Sequence, residues 1–429
     1  MLDRFFQLSE HRTDVRTEVL AGLTTFLTMA YIVFVNPSIL AAAGMDQGSV
    51  FVATCLAAAL STFIMGLYAN YPIALAPGMG LNAYFAFALV KGMGLTWQTA
   101  LGAVFISGLL ALLLSVSPVR EWLFNAIPKT LKMAISAGIG LFLGIIALQN
   151  AGIIADHPVT LVTLGNVKTW QVALCAAGFV LMVALDARGV PGAIIIGILA
   201  TTLLGVALGI TPFRGVASLP PSLAPTLFQL DLLGALEVGL VTIIIVLLFV
   251  DLFDTAGTLV GVAHRAGLLA PDGTLPRLRR ALIADSSATM IGSLLGTSNT
   301  TSYIESAAGV KAGGRTGLTA AVVGGLFLLA LFFSPLAATV PSYATAPALL
   351  YVACLMARGM TEVDWEDATE YAPAVVTAVA MPLTYSIAHG IAFGFITYAG
   401  CKLLSGRPHE ASMAVYALAA MFLLKFAFT

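Results

Sequence analysis

Fourteen apolar runs recur along this chain as candidate crossings of the roughly 30 Å hydrocarbon core of a bilayer, some of them too short to cross alone, and that recurrence constrains the fold more than any single motif. The runs fall near residues 19–40, 49–68, 73–90, 98–117, 131–153, 169–186, 190–209, 234–261, 281–296, 299–310, 317–337, 343–358, 371–387 and 388–404. A further stretch, 411–428, follows a short polar hinge and fits either a crossing or a helix lying in the interface. Composition agrees: 59% of the 429 residues are hydrophobic and 10% are charged, with a mean hydropathy of +0.98. A soluble fold needs about a quarter of its residues charged to cover its surface, so soluble enzymes, nucleic-acid binders and disordered scaffolds are excluded. With 20 basic and 21 acidic side chains, the net charge of −1 specifies no acidic or basic partner. Cys55, Cys175, Cys354 and Cys401 stand singly in apolar runs, without the spacing of a disulfide framework or a zinc site. Neither a metal nor a cofactor is expected. The polar first 18 residues carry no apolar core followed by a cleavage site, so no signal peptide is expected.

Basic residues in short loops are retained on the cytoplasmic side, which tests the count of crossings. With the N-terminus inside, sixteen of the twenty Lys and Arg fall inside; Lys91, Lys168 and Arg214 fall outside, and Lys425 is undecided. One crossing too many in the middle would scramble that asymmetry. Trp97, Trp122, Trp170 and Trp365 lie at predicted span ends or in short loops, where amphipathic rings prefer the headgroup layer. The expected protein is therefore an all-α, multi-pass protein of the plasma membrane with a cytoplasmic N-terminus.

The two halves share a layout. Residues 18–40 open EVLAGL and residues 237–260 open EVGLVT; residues 184–209 and 384–406 each join two spans by a tight link and then run on with spaced glycines. Seven spans per half is odd, so the second half is inverted, and inverted repeats place a binding site at the bilayer midplane between broken helices. The third span of each half is where this chain breaks: IALAPGMGLNAYFAFAL at 73–89 and LLGTSNTTSYIESAAGV at 294–310. Pro77, Gly78 and Gly80 interrupt the first, and the run from Thr297 to Ser302 favours local side-chain bonding in the second. Unpaired backbone in hydrocarbon costs several kcal/mol, so such segments persist where they pair or line a cavity. Residues 73–76 and 297–300 are expected to be extended and paired, with helices starting near Leu81 and Tyr303.

Four acids lie inside spans: Asp251, Asp254, Asp285 and Glu305. A charge at mid-membrane costs at least about 2.5–3.5 kcal/mol on insertion, so these groups face the bundle interior or an aqueous cavity. No Lys or Arg lies in their segments. Crowded carboxyl groups held away from water and cations favour the protonated form, which is what a proton-coupled carrier needs. Asp251 and Asp254 share a helix face, with Thr255 beside them. Asp285 has the stronger structural alternative, bonding to neighbouring hydroxyls or to the broken segment.

Carboxylates, the Asn82 amide and the aromatics Phe253, Tyr84, Phe85 and Tyr31 suit a flat, neutral heterocycle with ring N–H donors. Anions would meet acids without compensating cations, yet an anion transporter of the same inverted-repeat architecture is the nearest rival. A magnesium-dependent prenyltransferase reading of the DLFD pair lacks the basic residues a diphosphate requires. Residues alone lead to a proton-coupled carrier of a neutral polar solute.

GMGLNAYFAF at 78–87, DLFDTAGTLVGV at 251–262, GTSNTTSYIESAAGV at 296–310 and AGLTTFLTMAYIVFVNPSIL at 21–40 together resemble the adenine/guanine/hypoxanthine permease branch of the nucleobase–cation symporter-2 family. The similarity covers essentially the whole chain. It implies fourteen spans in two inverted repeats. A core comes from residues 1–117 and 231–338, and a gate from 118–230 and 339–429. It implies import of purine bases with protons by an elevator motion, by a homodimer. By the same resemblance, Asn82, Asp251, Asp254 and Glu305 match positions for purine binding and transport, with Ser302 and Tyr303 in the same tenth-span motif. Phe253 and Tyr84 join them as substrate contacts on chemistry, and Glu305, Asp251 and Asp254 carry the proton. Asp285, Thr255, Ser302 and Tyr303 support them.

Overall fold

The computed structural model describes residues 2–117, 127–237, 241–265, 268 and 275–428. Trp122 lies outside them. Within 241–265 the side chains of Phe253 and Asp254 are also outside the description.

Helices form where the sequence places the apolar runs. In chain order they are α1 (Leu2–Phe6), α2 (Val15–Met29), α3 (Ile32–Ala41), α4 (Gln47–Ile64), α5 (Met79–Ala83), α6 (Trp97–Val116), α7 (Lys129–Asn150), α8 (Trp170–Ala187), α9 (Ala193–Ala207), α10 (Leu232–Ala235), α11 (Val241–Arg265), α12 (Leu278–Leu295), α13 (Ser306–Lys311), α14 (Gly317–Ala330), α15 (Ser334–Thr339), α16 (Ser342–Ala357), α17 (Ala368–Leu383), α18 (Ile387–Leu404) and α19 (Met413–Phe428). Among the described residues, eight helical stretches are long and apolar enough to cross a bilayer. Polar residues at the loop edges start several of them: Asp14, Asp46 and Thr169 each accept a backbone N–H from the first turn of α2, α4 and α8. The first predicted span is interrupted at Ala30 and Tyr31, upstream of Pro37 inside α3, where Val33 and Phe34 bond three residues back instead of four.

Among the described residues there are four short strands: β1 (Leu75–Pro77), β2 (Ile154–His157), β3 (Leu161–Leu164) and β4 (Thr300–Ser302). β1 pairs with β4 and β2 with β3, both antiparallel. The β2–β3 hairpin has no counterpart in the sequence reading. Its residues run on from an apolar span without the polar–apolar alternation that marks a half-buried strand.

The chain forms two compact units. The first gathers Met1–Val116 and Asn150–Ala348. Its helices approach through small residues: a Cβ on Gly317 would lie 1.9 Å from the carbonyl oxygen of Gly66, so only glycine lets the start of α14 meet the π-helical turn at 65–69. That helix start is also capped from elsewhere in the chain. The buried Glu18 carboxylate accepts from the N–H groups of Arg315 (2.9 Å), Thr316 (3.2 Å) and Thr319 (3.2 Å), and from the hydroxyls of Thr316 (2.8 Å) and Thr319 (2.6 Å). Asn70 takes the N–H of Gly317 at 2.7 Å. A carboxylate at the positive end of a helix, bonded to its otherwise orphaned donors, holds α2 to α14. Glu18→Ala strands those donors and is expected to cost about 3 kcal/mol or more. The check is thermal unfolding of the detergent-purified protein, where Glu18→Gln should fall between wild type and Glu18→Ala.

The second unit gathers Ser117–Gln149 and Leu349–Thr429. The spaced glycines of α18 pack on α17: a Cβ on Gly394 would strike the Thr377 hydroxyl and one on Gly390 the Met381 side chain. Beyond the hinge, α19 turns back along α18, with ring centroids 6.2 Å apart for Phe395–Phe422 and 5.3 Å for Phe393–Phe426. The 411–428 stretch thus runs antiparallel to its neighbour. At the hinge the buried Lys402 ammonium reaches Glu370 (2.6 Å) and Glu410 (2.7 Å), while Arg407 grips Asp367 at 2.7 Å. The Arg407 guanidinium, with the Thr369 donors, holds the Asp367 carboxyl below the usual carboxylate range. A depressed carboxylate stabilises the folded state at neutral pH, and that contribution fades as pH falls through the folded-state value.

Candidate functional site

The two broken spans meet, as their composition predicts, but a few residues later than expected. β1 and β4 pair Leu75 with Ser302, Ala76 with Thr301 and Pro77 with Thr300. The expected segments were 73–76 and 297–300. Gly296 explains the shift in the second: at φ +96° it ends α12 in the left-handed region, and the N–H of Thr297 still bonds back to Gly292, so the strand begins only at Thr300. The following helices start at Met79 and Ser306 rather than at Leu81 and Tyr303. Residues 303–305 form a turn first, with the N–H of Ser306 bonded to the Tyr303 carbonyl.

Backbone groups freed by the breaks find partners inside the protein. Gly78 donates to the Asn299 carbonyl (2.8 Å) and Tyr303 to the Ala74 carbonyl (2.9 Å). The Ser306 hydroxyl accepts from Ala74 (3.0 Å), and Thr62 both accepts from and donates to Leu75 (2.9 and 3.0 Å). Thr289 donates to the Thr300 carbonyl at 3.0 Å. The Tyr303 hydroxyl donates to the Pro77 carbonyl, so this side chain clamps one break to the other. Pairing of this kind is what makes extended chain tolerable at membrane depth.

Around that ladder the candidate side chains form three groups. Asp285, fully buried on α12, accepts from the Thr255 hydroxyl of α11 (2.6 Å) and from both the backbone N–H and the hydroxyl of Ser302 (3.0 Å each). Thr255 also lies 2.8 Å from the Thr301 hydroxyl. Asp285 thus bonds to the broken segment through Ser302. In the second group the Tyr31 hydroxyl, at the interruption between α2 and α3, donates to Oε1 of Glu305 at 2.6 Å. The third is an amide chain. Asn82 donates to Oδ1 of Asn36 and accepts from the Ser298 hydroxyl, while Asn36 donates to Thr54 (2.7 Å) and Thr297 (2.9 Å).

Asp251 lies on α11 one turn before Thr255 and is 1% exposed; α11 packs against β4 and α13. Tyr84 is buried in a π-helical stretch, Tyr84–Gly92, that continues α5. Phe253 and Asp254 belong to α11, their side chains outside the described residues. Asn36 is absent from the sequence reading. The rule applied to the acids, that a polar group inside an apolar run needs a reason, identifies it equally well in IVFVNPSIL. Sequence chemistry suits Tyr31 to stacking; in the structure its hydroxyl is the engaged part.

Residues 16–393 match the model of a family described as the Permease family. The chain belongs to that family. It is 50% identical to the adenine permease AdeP of Escherichia coli over 428 residues, covering 100% of this chain and 96% of that protein. It is 49% identical to the guanine/hypoxanthine permease PbuG of Bacillus subtilis over 436 residues, covering 99% of each. Among solved structures, the transmembrane domain of the cyanobacterial bicarbonate transporter BicA superposes with a TM-score of 0.70 at 15% identity, over 87% of this chain and 96% of that one. That likeness shows a common fold. The chain is thus a multi-pass membrane permease and not an enzyme.

Proposed function

We propose that this permease imports purine nucleobases, with adenine, guanine and hypoxanthine as the candidate substrates, together with protons. The observation that carries the reading is near-full-length identity of about one half to permeases named for adenine and for guanine/hypoxanthine. The site chemistry supports it. Asp251, Asp254, Glu305, Asn82, Phe253 and Tyr84 form the substrate site, and Glu305, Asp251 and Asp254 carry the proton. Asp285, Thr255, Ser302 and Tyr303 hold the breaks in register, and Asn82 adds a tie to α3 through Asn36.

The same proposal includes fourteen spans in two inverted repeats, a homodimer in the plasma membrane and a cytoplasmic N-terminus. Transport proceeds by an elevator motion of a core (1–117 and 231–338) against a gate (118–230 and 339–429). This division assigns residues 150–230 to the gate, whereas packing groups them with the first compact unit; the division refers to motion and the units to contact.

The test is binding of adenine, guanine, hypoxanthine, xanthine and uracil to the purified protein at two pH values, with sulfate as competitor. One or more purines should bind with a pH dependence that Glu305→Gln removes or displaces. Uptake that ignores purines and yields to sulfate would replace this reading with an anion carrier.

A further inference from the structure

Tyr31 occupies an unusual place in its span. Helix α2 ends at Met29, α3 begins at Ile32, and of the two residues between them Tyr31 carries a buried phenol, 1% exposed, whose hydroxyl lies 2.6 Å from Oε1 of Glu305. Thr28, in the last turn of α2, donates its hydroxyl to the Thr25 carbonyl at 2.8 Å and lies 3.4 Å from the Glu305 carbonyl. The interruption of the first span thus delivers a donor to the residue that opens α13. Phenol-to-carboxylate bonding favours the charged carboxylate, because the donor replaces water that burial removes.

We infer that Tyr31 is the positioning residue for Glu305: it orients the carboxylate toward the site and sets the pH at which proton-coupled binding switches on. The inference rests on Glu305 as a coupling carboxylate. Among the described residues, most other ionisable groups are engaged or distant. The Tyr303 hydroxyl donates to Pro77 and Asp285 is bonded by Thr255 and Ser302. On α2, Glu18 is spent on the 315–319 turn, roughly 20 Å of helix away, and Lys311 lies about 9 Å along at the far end of α13. Asp251 is the buried acid on α11, the helix packed against α13; Asp254 on that helix has its side chain outside the described residues.

Tyr31→Phe removes the hydroxyl and keeps the ring volume. Binding of labelled adenine and labelled hypoxanthine is measured from pH 5 to pH 9 on wild type, Tyr31→Phe, Glu305→Gln and the double variant. The expected result is a midpoint moved toward alkaline pH by about one unit in Tyr31→Phe, the size one charge-assisted hydrogen bond supports. No further displacement is expected when Tyr31→Phe is added to Glu305→Gln. Site-specific 3-fluorotyrosine at position 31, a stronger donor, should move the midpoint the opposite way, and it covers the case in which Tyr31→Phe fails to fold. A wild-type profile in Tyr31→Phe or in the fluorinated protein, with Glu305→Gln displaced, overturns the role of Tyr31 alone. An unchanged profile in Glu305→Gln overturns the coupling role of Glu305, and the inference with it.

Discussion

Asp251→Asn is expected to lower purine uptake by about 100-fold or more, the equivalent of about 3 kcal/mol lost from a charged hydrogen bond to substrate, while the protein still inserts and folds. Asp251 is 1% exposed, so it does not face lipid, and α11 packs against β4 and α13. Thr255, one turn further along α11, is hydrogen-bonded to Asp285, which fixes this stretch of the helix beside the ladder. A carboxylate at that depth costs about 2.5–3.5 kcal/mol to insert, whereas the isosteric amide costs less, so the substitution relieves insertion and removes the charge. Uptake of labelled adenine and hypoxanthine, normalised to membrane abundance, reads the effect. Wild-type uptake would remove Asp251 from the site.

Asp285→Ala is expected to disrupt the fold around the breaks, costing about 3 kcal/mol or more, because it leaves the Ser302 N–H and the Thr255 and Ser302 hydroxyls buried without their acceptor. The carboxylate holds α12, α11 and β4 through Thr255 and Ser302. Asp285→Asn separates structure from charge. Hydroxyls rotate to suit a new neighbour and a backbone N–H does not, so the amide oxygen keeps the Ser302 N–H while Thr255 turns to accept from the amide nitrogen. Detergent-purified Asp285→Asn should unfold within a few degrees of wild type, and Asp285→Ala far below it. Equal loss in both would mean that charge, rather than this bonding pattern, holds the ladder.

Much of this was legible in the chain because membranes restrict the solutions. Apolar run length and the placement of Lys and Arg predict crossings, since hydrocarbon leaves helices as the main way to satisfy backbone groups. Pro77 and the Thr297–Ser302 run mark where that rule is suspended, and the ladder lies within three residues of where they indicate. The error in register came from Gly296: a glycine turn prolongs the end of α12 by two residues, and a composition window does not see φ. The β2–β3 hairpin escaped for a related reason, lacking periodicity to set it apart from the preceding span.

What the sequence determined by itself is the environment and the inventory: a bilayer solvent, two broken spans, and a few acids without cations beside them. Those follow from transfer energies, which depend on residue type and not on partners. The tertiary structure alone decided who bonds to whom. It gave Asp285 to Thr255 and Ser302, Glu305 to Tyr31, and Asn82 to the unsuspected Asn36. Hydrogen bonds act over about 3 Å between residues as much as 301 positions apart in the chain, and no local pattern encodes that distance.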